Sequence, residues 1–269
     1  MARIAALALT GGALLEHGRR YAQEFFETIK DPTQVDIVSF HSYRYPPDRQ
    51  YPCDAGLLKD LVHRYCPQAE LWQGESGYPS KPNGTGAQAH NNVTSETIQA
   101  KWLSRHVLCN LGIGIRHVSW HQAIDLLGYR EPDKVNPKGL LRAPDATRKP
   151  SFEVYQRLCA LFDEQTVPYQ NPWNAQIPEH TDDYTMPTIT AFQFTRGKTH
   201  MLTYWRSNEI GDDMQAYPVS LWVKGAWETA RLLDPLTGKV YDVTGKKEND
   251  GYRFQLPLSD GALILTTQS

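Results

Sequence analysis

ELWQGESGY, residues 70–78, decides the fold. Behind Glu70 stand the apolar Leu71 and Trp72, a second acid sits between two glycines, and an aromatic closes it. The run reads as a strand whose carboxyl end is polar. Working outward, the same pattern recurs. VDIVSFHSY (35–43) is a strand ending on His41, Ser42 and Tyr43, and IRHVSWHQA (115–123) ends on Trp120, His121 and Gln122. IAALAL (4–9) reads as a buried strand at the start. Helical patterns lie between: about 14–29, with Leu15, Tyr21, Phe25 and Phe26 partly on one face; 55–66, AGLLKDLVHRYC; a stretch capped by Thr94 or Ser95 and closed by Gly112 and Gly114; and 151–163, SFEVYQRLCALFD. Strand and helix in alternation predict a parallel sheet of βα units. Chemistry in such sheets sits at the carboxyl ends of the strands.

From about Pro187 the pattern changes. TITAFQF, HMLTYWR, VSLWVK, TARLLDP, KVYDVTG, YRFQLPL and ALILTTQ are short runs split by turns such as Thr237-Gly238 and Asp260-Gly261. They predict an antiparallel β-sandwich of about seven strands over 187–269, reached through a Pro/Asn/Asp-rich linker at 166–186.

Composition limits the partners. The 269 residues are 40% hydrophobic, enough for a real core. Lys+Arg 28 against Asp+Glu 30 gives a net charge of -2, so nothing favours nucleic acid or an anionic membrane as partner. No apolar run reaches the roughly 20 residues of a membrane span. Arg3 and IAALALTGGALL mimic a signal peptide, but Glu16, His17, Arg19 and Arg20 follow at once. Cys53, Cys66, Cys109 and Cys159 have neither disulfide-framework nor zinc spacing. Free thiols and the lack of a clear signal favour the cytoplasm, without fixing the compartment. Gly11-Gly12 matches no phosphate or dinucleotide fingerprint, and His117, His121 and Asp125 lack metal-ligand spacing, so neither cofactor nor metal is expected.

Glu75 carries the functional reading. A carboxylate at a strand end, between glycines and near aromatics, can attack an anomeric carbon; its ordinary alternative is a residue that caps the next loop. Tyr43 ends the preceding strand, and its hydroxyl can hold and orient that carboxylate. His41, two residues earlier, points the same way. Trp120 offers a flat wall for a sugar ring, and Gln122 can bond sugar hydroxyls. Each is also an ordinary core or polar residue when taken alone. At three successive strand ends together, they favour a carbohydrate site.

These runs resemble strands six, seven and eight of clan A retaining glycoside hydrolases, especially family-39-like members with a C-terminal β-sandwich. W-x-G-E-x-G is the most specific piece. The resemblance implies a partial (β/α) barrel of about four βα units over 1–165, with Glu75 as nucleophile and His41, Tyr43 and Trp120 at matching positions. IAALALTGG then corresponds to strand five. In this family the acid/base Glu follows Asn at the end of strand four. That segment has no counterpart here, and the sole Asn-Glu pair, Asn208-Glu209, reads as a turn in the sandwich.

Three functions stay open. One is a glycosidase acting on a carbohydrate substrate. Another is an impaired, carbohydrate-binding remnant, and a third is a purely structural fragment. A four-stranded parallel sheet has two raw edges and an uncovered face. A homodimer pairing half-barrels through those edges would cover them, as would a larger enzyme of which this chain is one part.

Overall fold

The computed structural model describes residues 3–10, 12–44, 48, 50–81, 95–177, 188–207 and 210–267. Thr94, Gly11 and the pair Asn208-Glu209 lie outside them. In chain order the first part holds β1 (Ala5–Leu9), α1 (Glu16–Thr28), β2 (Ile37–His41), α2 (Tyr51–Tyr65), β3 (Glu70–Ser76), α3 (Glu96–Gly112) and β4 (His117–Trp120). A two-stranded ribbon, β5 (Leu126–Leu127) with β6 (Val135–Asn136), and α4 (Pro150–Leu161) follow. The main sheet is parallel in the order β1-β2-β3-β4, as the alternation predicts.

The register fixes the site. His41 pairs with Glu75, and Ser76 with Trp120, so three strand ends meet along one edge. Ile37, Val38 and Phe40 bury β2 against the helices. Ser95 caps α3, its hydroxyl accepting from the backbone of Ile98 at 3.0 Å. From Ile98 to Asn110 every residue of α3 is buried, because the sheet covers one side and the sandwich another.

β1 departs from expectation. The strand forms, but only Leu9 is buried, and Ile4 just before it is 51% exposed. Its cause is position: β1 hydrogen-bonds to β2 alone, and its ladder shifts between Ala6 and Ala8, where Leu7 takes a φ of 61°.

The second part packs two antiparallel sheets. Its strands are β7 (Val167–Pro168), β8 (Trp173–Gln176), β9 (Ile189–Arg196), β10 (Thr199–Arg206), β11 (Tyr217–Lys224), β12 (Thr229–Leu233), β13 (Val240–Thr244), β14 (Lys246–Glu248), β15 (Gly251–Leu258) and β16 (Leu263–Thr267). One sheet runs β13-β12-β16-β10-β9-β7, the other β14-β15-β11-β8. Val219, Leu221 and Val223 alternate inward on β11 and meet Leu202, Tyr204 and Leu265. All seven expected runs are strands. The stretch read as linker adds β7, which pairs with β9, and β8, which pairs with β11. Two and four residues are too few for a period to be visible.

α3 joins the two parts through buried polar groups. Lys101 Nζ lies 2.9 Å from Asp260 Oδ1, and Arg105 donates to the carbonyls of Asp260 (2.8 Å) and Arg206 (2.6 Å). Trp205 Nε1 donates to Asp48 at 2.6 Å. Phe194, Met201, Trp205 and Ile264 share one apolar core with Leu103 and Val107. Buried ions tolerate such positions only when bonded, so this seam fixes the sandwich against the sheet.

Candidate active site

β2 delivers His41 and, just past its end, Tyr43; β3 delivers Glu75. The Tyr43 hydroxyl donates to Oε1 of Glu75. His41 Nδ1 stands 3.6 Å from Oε2, beyond a normal hydrogen bond and within electrostatic reach. The Glu75 side chain remains 36% exposed, so a ligand can approach it.

The flanking glycines have a steric cause. A Cβ on Gly74 would fall 2.1 Å from the Ser39 hydroxyl, and one on Gly77 only 1.9 Å from the His121 carbonyl. Gly77 therefore lets the chain leaving β4 lie directly on the end of β3. That contact brings the 120–122 segment beside Glu75.

Trp120 is half-buried. Its indole N–H donates to the Lys138 carbonyl at 2.9 Å, and its ring packs on Tyr78 with centroids 5.7 Å apart. Gln122 is turned toward the Asn136 carbonyl at 3.4 Å. His41 and Tyr43 thus touch Glu75, Trp120 is anchored beside it, and the Gln122 amide is engaged by backbone. The other histidine–aspartate group disperses. His117 stacks on Trp72 at 4.0 Å, and Asp125 bonds Lys149 at 2.6 Å and the Gly139 N–H at 2.8 Å.

Lys138 and His121 complete the surroundings. Lys138 is buried, and its ammonium stands 4.3 Å above the Tyr43 ring. Burial draws it down to about 8, with the Glu75 charge pulling the other way and Arg130 adding to the fall. Burial also lowers His121; Glu75 opposes this, while Lys138 and His41 reinforce it. Lys138 escapes a sequence reading because it lies in an aperiodic loop between Pro137 and Gly139. Long-range bonds hold that loop in place: Leu140 N–H to the Gln122 carbonyl (3.1 Å), Leu141 N–H to that of Ala123 (3.0 Å), and the buried Asp125–Lys149 pair.

The edge therefore presents one accessible carboxylate, oriented by a phenol and flanked by aromatic and cationic groups. Among the described residues, Tyr43 bonds Glu75, His41 stands beside it, and His121 and Lys138 lie within electrostatic reach of it.

No protein-family model matches the chain, and no curated protein matches it in sequence. Solved structures do match in fold. All of the chain superposes on a GH30 endoxylanase from Clostridium papyrosolvens, with TM-score 0.59, 12% identity and 56% of that chain covered. A GH51 arabinofuranosidase from Xanthomonas axonopodis pv. citri gives 0.56 and 11%, with 98% of this chain and 58% of that one covered. A family 5 glycoside hydrolase from Bacteroides vulgatus gives 0.54 and 16%, covering 91% and 52%. The chain spans little more than half the length of these structures. What the chain has in common with these glycoside hydrolases is a fold: four parallel strands with helices, followed by antiparallel sheets. The narrower likeness to family 39 has no support among them.

Proposed function

We propose that the chain carries the nucleophile half of a retaining glycosidase, with Glu75 as nucleophile. The observation that carries this reading is the Tyr43 hydroxyl bonded to a partly exposed Glu75 at the carboxyl edge of a parallel sheet. In the first step a Glu75 oxygen bonds to the anomeric carbon while the glycosidic C–O bond breaks, and the aglycone leaves with the bonding pair. The oxygen of water then bonds to the anomeric carbon as its ester bond to Glu75 breaks, the water proton passes to the solvent and balances the aglycone anion, and the sugar departs with its configuration retained. Tyr43 and His41 orient the carboxylate, Trp120 flanks the sugar ring, and Gln122 lies at the rim.

Deoxyfluoro glycosides with a dinitrophenyl leaving group test this, because they need little acid assistance and the fluorine slows release. The expected result is a glycosyl adduct on the peptide containing Glu75, found by mass spectrometry. Glu75→Gln loses the adduct and lowers turnover of aryl glycosides by roughly a thousandfold or more. Unlabelled protein across a panel of sugars, with turnover unchanged in Glu75→Gln, overturns the reading. Sugar binding without labelling then favours a carbohydrate-binding remnant.

One observation favours a second reading, a half-barrel whose site is completed by a partner. A retaining pair of carboxyl groups stands about 5–5.5 Å apart, and among the described residues the side chains that bond or pair with Glu75 are Tyr43 and His41, neither of them an acid that could serve as its carboxyl partner. β1 and β4 each have one strand neighbour, so two half-barrels could pair through these edges. A homodimer by light scattering, with turnover rising with the square of dilute protein concentration, supports this. A monomer with undiminished specific activity on dilution rejects it.

A further inference from the structure

Three lysines are buried among the described residues: Lys101, Lys138 and Lys149. Two of them are matched to acids, Lys101 to Asp260 at 2.9 Å and Lys149 to Asp125 at 2.6 Å. The Lys138 ammonium makes no hydrogen bond or ion pair with any described residue; it stands 4.3 Å from the centre of the Tyr43 ring, with Glu75 in electrostatic reach. A buried cation without a bonded anion is costly, and proteins retain such groups where a ligand supplies the anion.

Its placement is constructed from several elements. The Lys138 carbonyl accepts from the Trp120 indole at 2.9 Å, and the Gln122 backbone N–H lies 3.4 Å from it. Its stem passes Gly77, where an added Cβ would lie 3.5 Å from Lys138 Cδ. The ammonium ends beside Tyr43 and within electrostatic reach of Glu75. Among the described residues, Glu75 and the exposed Arg130 act on its charge, Tyr43 lies against it, and it acts in turn on His121, which His41 also faces. Among the described residues, the carboxylate that acts on Lys138 is Glu75, and Arg130 acts on it as a second cation. A neutral sugar offers hydroxyls, which do not neutralise an ammonium; a carboxylate does so through a short charge-assisted bond.

We propose that this site takes a sugar bearing an anionic group, a carboxylate as in a uronic acid, and that Lys138 is the residue that reads it. The proposal rests on the reading of the Glu75 edge as a sugar site. A sulfated sugar presents similar anionic oxygens, so the test includes both.

Calorimetry with uronate-bearing, sulfated and neutral oligosaccharides of one backbone provides the test, on wild-type protein, Lys138→Met and Lys138→Arg. The uronate form is expected to bind about tenfold or more tightly than the neutral one, the scale of one charge-assisted bond. Lys138→Met brings that ratio to about one, Lys138→Arg keeps most of it, and raising the pH past 8 erodes it in the wild type. A sulfated form that alone shows the preference replaces carboxylate by sulfate and overturns the uronate assignment. Equal affinities, a preference indifferent to Lys138→Met, or no binding of any sugar overturns the proposal. The adduct experiment separates the two readings. Labelled Glu75 with no anionic preference leaves the hydrolase and removes the uronate; a Lys138-dependent preference without labelling does the reverse.

Discussion

The Tyr43 hydroxyl donates to Oε1 of Glu75 across neighbouring strand ends, while the Lys138 ammonium stands over the Tyr43 ring, 4.3 Å from its centre. The phenol thus meets a cation at its ring, and its donor points at one carboxylate oxygen. A hydrogen bond to a charged group contributes about 1.5–3 kcal/mol. Tyr43→Phe is therefore expected to lower kcat/KM for an activated aryl glycoside by roughly 10- to 150-fold, with the melting temperature nearly unchanged. Initial rates and calorimetric melting of the variant check both halves of this expectation.

The strand ends bearing His41, Tyr43, Glu75 and Trp120 are legible in sequence because each strand announces itself by a short apolar run closing on polar residues. The seven sandwich runs are legible through alternation and turn residues. Lys138 is invisible because its position is set by bonds from Trp120 and from the Asp125–Lys149 pair, far apart in the chain. The exposure of β1 is equally hidden: IAALAL reads the same at the edge of a sheet as at its centre, and only topology decides. The acid between two glycines is visible in the sequence, but the reason for Gly77 emerges only from the 1.9 Å approach of the His121 carbonyl.

That approach yields a prediction. A methyl at Gly77 meets backbone, which cannot swing aside as a side-chain tip can. Gly77→Ala is expected to cost about 1–3 kcal/mol, the range for overpacking a tight site. It also pushes the 120–122 segment off β3, so labelling of Glu75 slows beyond what lost stability explains. Urea unfolding paired with the adduct rate below the melting transition measures the two effects.

The seam between sheet and sandwich gives a stability test remote from Glu75. Asp260 is fully buried, binds Lys101 and accepts from the Gly211 N–H at 3.0 Å. Asp260→Ala leaves the buried Lys101 ammonium without its counter-charge, bonded only to the Gly211 and Asp212 carbonyls, and is expected to destabilise by about 3–5 kcal/mol. The double variant Lys101→Met with Asp260→Leu removes both charges and is expected to recover part of that loss. Equilibrium denaturation of the two variants side by side checks the ordering.

His106 sets a pH dependence. It is wholly buried in α3, near the Tyr78 hydroxyl at 3.4 Å and with Asn110 Nδ2 at 3.3 Å, and burial lowers it from 6.5 to about 3. The folded state thus keeps the ring neutral where the unfolded chain protonates it. Above pH 6.5 both states are neutral and the residue contributes no slope. Between 6.5 and 3 the unfolded state binds one proton more, so stability falls by about 1.4 kcal/mol per pH unit as the pH drops. From pH 7 to 5 the expected loss is about 2 kcal/mol, well above the range where carboxylates such as Asp163, held down to about 2 by Arg196, titrate. The lowered His121 adds to the slope with the same sign. Urea unfolding at pH 5, 6 and 7 measures the trend, and His106→Asn is expected to flatten it, leaving the smaller part due to His121. A wild-type unfolding free energy constant across that interval contradicts the neutral, buried imidazole.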